Sequence, residues 1–163
     1  MKTTLIGSAV VALAVASAGA DEKKIAQADV PRPVLDTIQK KYPAAKLTGF
    51  EVERDNGKTA YEIQLRDGDK RREVVCSPAG KIVAEEETIA LAEAPAKVRD
   101  ALGASAKYRT WTVRQVERVV NDENAQAAQY EIEVASGKQA AELVFTSEGK
   151  LVRSEQKKAG DKD

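Results

Sequence analysis

The chain has no histidine, and only one cysteine, one methionine and one tryptophan among its 163 residues. Without histidine, the commonest general base, the commonest zinc ligand and every Ser-His or Cys-His nucleophile arrangement are excluded. One cysteine cannot form an internal disulfide or a thiolate metal site, so the fold must rest on its core and its sheets. No Gly-rich phosphate loop or dinucleotide fingerprint occurs, and Asp67-Gly68-Asp69 lacks the ligand spacing and closing Glu of a calcium loop. The sequence therefore offers no cofactor site and no metal site, and paired carboxylates remain as the only option for catalysis. A dominant charge is missing too: 26 basic residues balance 26 acidic ones. That removes the electrostatic case for nucleic acid, which asks for a basic face to neutralise phosphates.

Long apolar runs are confined to the start of the chain. Met1-Lys2 gives a short positive beginning, Leu5 to Val15 an apolar stretch, and Ala18 and Ala20 the small residues that a signal peptidase reads. Residues 1–20 are thus expected to be a secretory leader cut before Asp21. The stretch is shorter than the roughly 20 apolar residues of a membrane span, and no cysteine follows it to take a lipid. The expected product is periplasmic or secreted, without a stable membrane anchor.

What the chain does have is a duplication. Tyr61-Glu62-Ile63 returns as Tyr130-Glu131-Ile132, and at the same offset Gly68, Val75 and Gly80-Lys81-Ile82-Val83 return as Gly137, Val144 and Gly149-Lys150-Leu151-Val152. Upstream, Ile25, Pro31, Val34 and Ile38 match Ile89, Pro95, Val98 and Leu102 at an offset of 64 rather than 69. The second copy therefore carries five extra residues between its helix and its Tyr. Each copy alone is near 60 residues, a size that buries only about 60% of its unfolded surface, which favours packing of the two against each other.

Within each copy the apolar period changes once. Pro31-Arg32-Pro33 opens a helix that carries Val34, Ile38 and Tyr42 at spacing four, and Pro43 blocks its continuation, which predicts a helix over 32–41. In the second copy Ala94-Pro95 opens a helix with Val98 and Leu102, ended by Gly103. Beyond each helix the period is two. Phe50 and Val52 alternate with Glu51 and Glu53 up to the Asp55-Asn56-Gly57 turn. Tyr61, Ile63 and Leu65 follow up to Asp67-Gly68, then a strand from about Arg71 to Ser77 and another after Gly80. The second copy repeats this from a strand beginning at Tyr108. The reading is an α+β fold of two tandem repeats, residues 21–87 and 88–155, each one helix packed on a four-stranded antiparallel sheet. A charged, unpatterned tail, 156–163, is expected to be disordered.

Ile25 to Val34, Lys40-Lys41-Tyr42-Pro43-Ala44-Ala45-Lys46, Tyr61-Glu62-Ile63 and the Gly80-Lys81 turn resemble the PepSY-like family of exported bacterial proteins. The second copy is similar through Glu86 to Val98 and Tyr130-Glu131-Ile132, but has Gly103-Ala104-Ser105-Ala106-Lys107 in place of the Lys-Lys-Tyr-Pro helix end. The resemblance implies a helix-on-sheet unit and an architecture like that of the beta-lactamase inhibitor proteins, which are also tandem pairs. It further implies a role in inhibiting or regulating peptidases, and it supplies no catalytic residues.

Candidate residues are weighed against their counterparts in the other copy. Cys76 corresponds to Phe145, so it reads first as a buried small hydrophobe and second as a reactive thiol. Tyr61 and Tyr130 read as scaffold. Tyr108 and Trp111 belong to the second copy alone, and Trp111 reads first as core and second as an interface anchor. Glu131 and Glu133 share a strand face at spacing two, which fits a solvated sheet face first and acid–base chemistry second. Tyr108, Trp111, Glu131 and Glu133 are the candidate binding residues. The function expected is a non-enzymatic module that binds an extracytoplasmic protein, such as a peptidase or another envelope protein. The second reading is an accessory protein that holds a small or amphipathic ligand between the repeats.

Overall fold

The computed structural model describes residues 21–55, 57–121 and 127–158. The expected leader, Asn56 of the predicted turn and the last five residues of the expected tail lie outside the described residues.

Nine antiparallel strands form one sheet in strict chain order. They are β1 (Asp21–Lys24), β2 (Lys46–Asp55), β3 (Lys58–Asp67), β4 (Lys70–Cys76), β5 (Ile82–Thr88), β6 (Thr112–Asn121), β7 (Gln129–Ser136), β8 (Gln139–Thr146) and β9 (Leu151–Lys158). Helix α1 (Arg32–Lys41) lies in the chain between β1 and β2, and α2 (Ala96–Ala104) between β5 and β6. The repeats are therefore joined by the pairing of β5 with β6, from Ala84 opposite Asn121 to Thr88 opposite Glu117. A four-stranded sheet in each repeat was expected, with the relation between the two left open, and the structure makes them one sheet of nine strands. The difference arises because β5 has a free ladder edge and β6 satisfies its N–H and C=O groups, as a buried backbone requires.

The helices follow the chemistry read from the sequence. Pro31 stands just before α1 and Pro33 in its first turn, where a missing N–H costs nothing, and Lys40 and Lys41 complement the dipole at its C-terminal end. Val34 and Ile38 form its buried stripe, and Val98 and Leu102 that of α2. Gly103 does not end α2, which continues to Ala104. Each helix seals its own cluster. Val34 and Ile38 pack with Ile63, Leu65, Val74 and Cys76, and Val98 and Leu102 with Val116, Ile132, Leu143 and Phe145. A buried aliphatic side chain stabilises by about 1.5–3 kcal/mol relative to exposure, so these two clusters supply much of the driving force.

Three boundaries differ from expectation. The strand expected from Tyr108 begins at Thr112, because Ser105 draws the chain into turns. The Ser105 hydroxyl accepts from the Tyr108 N–H at 3.2 Å and its carbonyl accepts from the Arg109 N–H at 3.1 Å, leaving neither for a ladder. The segment expected as the start of a tail, through Lys158, is instead in β9, whose backbone pairs with β8 from Leu151 opposite Phe145 to Lys158 opposite Gln139. Backbone pairing on an edge strand needs no apolar side chains, and the charged residues there resist unwanted pairing with other chains. Finally β1, Asp21–Lys24, lengthens the sheet beyond β2.

The extra residues of the second repeat can be placed. The register breaks at Leu47/Gly49 in β2 and at Val113/Gln115 in β6, an offset of 66, and again at Val75/Cys76 and Val144/Phe145, an offset of 69. Two insertions thus precede β6, in the segment that carries Tyr108 and Trp111, and three lie between β6 and β7.

Candidate functional site

Residues opposite one another on antiparallel strands point to the same side of a sheet, so the pairing register assigns every side chain to a face. Ile63, Val74, Val116 and Ile132 lie on one face, against the helices. Both helices pack on this side. The other face carries a series of glutamates. Glu51 faces Glu62, Gln64 faces Glu73, Glu73 faces Glu86, Glu117 faces Glu131, and Glu133 faces Glu142. Glu86 lies opposite Val119, two residues from Glu117, which carries the row from one repeat into the next.

This face was expected to be solvated, yet Glu51, Glu62, Glu86, Glu117 and Glu131 are all buried, Glu62 to 3% exposure. Their stems share the face with buried Val75, Val119 and Val144. In the first repeat the Gln64 amide donates to Glu62 Oε1 at 3.1 Å and lies 3.5 Å from Glu51 Oε1. Burial and then the charge of Glu73 push the Glu62 carboxyl up to about 9, against the pull of the Gln64 hydrogen bond. Burial, together with Glu86 and Glu117, pushes Glu73 up to about 7, with its hydrogen bond to Glu62 and the charge of Arg71 opposing. At the sheet edge Glu22 is also raised to about 7, by its hydrogen bond to Glu51 and then by burial.

The second repeat has the same carboxyl set with a different solution. Glu117, Glu131 and Glu142 stand where Glu51, Glu62 and Glu73 stand, at offsets of 66, 69 and 69. There Arg153 of β9 forms an ion pair with Glu142. The first-repeat counterpart of Arg153 is Ala84, which is buried against β6.

The four candidate binding residues do not converge. Tyr108 and Trp111 are on the helix side, in and against the second core cluster. Their rings meet edge to face at 5.2 Å and 84°, and the Tyr108 hydroxyl lies 2.9 Å from Ser154 Oγ and accepts from Gln156 Nε2 at 2.9 Å. Glu131 and Glu133 are on the opposite face, Glu131 buried and Glu133 half-buried. What sequence reading missed is the row of glutamates to which these two belong. Its signal was present, since a Glu recurs at polar-face positions of β2 through β8, but alternation alone does not distinguish a solvated face from a crowded one. Among the described residues no group of His, Cys, Asp or Glu is arranged to hold a metal ion, and no helix is long and apolar enough to cross a membrane.

The model of a family described as beta-lactamase-inhibitor-like, PepSY-like matches twice, over residues 19–84 and 82–153. Solved structures share the fold at low identity. A DUF2874 family protein from Bacteroides uniformis is 20% identical, with 77% of this chain and 88% of that chain covered and a TM-score of 0.66. A second DUF2874 family protein, from Bacteroides ovatus, is 22% identical, with 78% and 89% covered and a TM-score of 0.65. A BLIP-like protein from Bacteroides fragilis is 21% identical, with 80% and 89% covered and a TM-score of 0.62. No match emerges among curated proteins. With both family matches together spanning most of its length, the chain belongs to the PepSY-like family, as a tandem pair of its domains.

Proposed function

We propose that the protein is an exported, non-enzymatic binding module that engages an extracytoplasmic protein, a peptidase or another envelope protein, through the sheet face opposite its helices. The observation that carries this reading is the placement of both helices on one side. Among the described residues the opposite face is left free of helix across both repeats. Export rests on the leader read over residues 1–20. The absence of histidine supports a role without acid–base or nucleophilic chemistry. An inhibitory sense comes from likeness alone, through the family description and the BLIP-like structure.

The test is capture from an envelope fraction with the mature chain and with a variant carrying Arg71→Glu and Glu133→Lys, two positions of the helix-free face that remain at least partly exposed. A protein partner retained by the wild type and lost by the variant is expected, while Asp100→Lys on α2 leaves capture intact. Equal capture by all three chains, or recovery of a small molecule and no protein, would overturn the reading.

A further inference from the structure

Among the described residues, Glu62 Oε2 and Glu73 Oε2 of the first repeat are buried carboxyl oxygens without a donor. They stand on adjacent strands of one face, Glu62 two residues from Gln64 and Gln64 directly opposite Glu73. Two ionised carboxylates so placed can only repel, and each forgoes the hydrogen bond that a buried oxygen requires. One proton resolves both faults, because a neutral Glu62 donates to an ionised Glu73.

We infer that Glu62 and Glu73 share a proton in the folded protein, so that the first repeat is a built-in pH sensor which loosens as the medium turns alkaline. The surroundings favour this. From β2, Glu51 and Glu53 face the pair, from β1 Glu22, from β5 Glu86 and from β6 Glu117, all of them carboxylates. Arg71 on β4, Arg66 on β3 opposite it, Lys46 on β2, Lys58 on β3 and Lys24 on β1 are the cations placed on this side of the first repeat, and all of them are exposed. The second repeat shows the alternative. Of its equivalent pair, Glu131 and Glu142, Glu142 is met by Arg153 on the edge strand β9, where a guanidinium has room. Ala84 occupies that place in the first repeat because β6 closes over it.

The sign follows from linkage. A carboxyl whose affinity for protons is raised by folding stabilises the fold fully below its unfolded pKa, near 4.5, and this contribution is lost as pH rises through the folded values, about 7 and about 9. Glu22 at the sheet edge, raised to about 7, titrates in the same interval, and with no histidine in the chain the ordinary side-chain source of a proton there is absent. Cys76 is pushed out of it, up to about 11, by burial and then by the charge of Glu85.

Equilibrium unfolding of the full mature chain in denaturant, from pH 5 to pH 9, is the test. Each proton held by the folded chain and not by the unfolded one changes the folding constant about tenfold per pH unit. The wild-type constant is expected to fall at least tenfold per unit from pH 5 to pH 7, and more gently towards pH 9. Glu62→Gln, whose amide supplies the donor permanently, removes about one proton from that slope, and Glu142→Gln in the second repeat leaves it unchanged. A wild-type constant that is level or rises over this range, or a slope that Glu62→Gln does not reduce, overturns the inference. Should that variant fail to fold, infrared spectroscopy of the wild type decides: the carbonyl band of a neutral buried carboxyl is expected at pH 7, and its absence is equally fatal.

Discussion

Gly80 and Gly149 hold the same position in the two repeats, each in a left-handed turn, at φ 82° and 80°, closed against the first turns of a helix. A Cβ on Gly80 would stand 2.8 Å from the carbonyl carbon of Pro33, and one on Gly149 2.8 Å from that of Lys97. The turns are built alike. The Gly80 N–H donates to the Ser77 carbonyl and the Gly149 N–H to the Thr146 carbonyl, both at 2.9 Å. Thr37 on α1 donates to the Gly80 carbonyl at 2.9 Å, and Lys97 on α2 pairs with Glu148. The glycines let the β4–β5 and β8–β9 turns touch the helices and so fix where each helix sits on the sheet.

Gly80→Ala and Gly149→Ala are therefore each expected to destabilise the protein by about 2 kcal/mol or more, since the strained φ costs about 1–3 kcal/mol and the clash with backbone adds to it. Gly137 separates the two causes. Its φ is 58°, but nothing lies within 4 Å of an added Cβ, so Gly137→Ala is expected to cost the strained φ alone, about 1 kcal/mol. Denaturant midpoints check the order; equal costs at Gly137 and Gly149 would contradict the packing argument.

The duplication made these glycines and most of the core legible before any coordinates. Val34 and Val98, Ile63 and Ile132, and Cys76 and Phe145 are apolar pairs at fixed offsets, and each packs in its own repeat's cluster. The glutamate row was not legible as a site. Glu62 and Glu133 look equally solvated in an alternating strand, and only cross-strand register shows which carboxyls crowd one another. Nor was the joining of the sheets, since β5 and β6 are separated by a helix and no local pattern in Ala84–Thr88 names its partner. The Tyr108–Trp111 turn was hidden for a third reason: Ser105 overrides a sequence that otherwise alternates like a strand.

Cys76 is fully buried beneath α1, and burial raises its thiol to about 11, so little thiolate exists at ordinary pH. Native protein is expected to resist a thiol reagent at pH 8 over hours and to react at once when unfolded. Labelling whose rate does not change when denaturant is added would place the thiol at the surface.

Tyr108 contributes in two separable ways, through its edge-to-face contact with Trp111 and through its hydroxyl's bonds to Ser154 and Gln156 on β9. Tyr108→Phe keeps the ring and loses the bonds, and is expected to cost about 1 kcal/mol with the native Trp111 emission unchanged. Tyr108→Ala removes the ring as well and is expected to shift that emission to longer wavelength, because Trp111 is only half-buried to begin with. A Phe variant as stable as the wild type would show that water replaces the tie to β9.

The pairing of β5 with β6 decides whether the protein unfolds as one body or two. Each repeat has its own core cluster, so the apolar contacts within residues 21–88 survive a cut after Thr88. What the cut removes is the ladder from Ala84 to Thr88 and the cover that Val119 and Glu117 give to Glu86 and Ala84. A free β5 edge then exposes unpaired backbone and uncovers Ala84 while the small core remains marginal. The fragment 21–88 is therefore expected to melt well below the mature chain, and to self-associate through β5 as its concentration rises. The intact chain should show one calorimetric transition, because losing either repeat strips the seam from the other. Two transitions in the whole protein, or a monomeric fragment that melts at the same temperature, would mean that the repeats fold independently and that the shared sheet adds nothing to their stability.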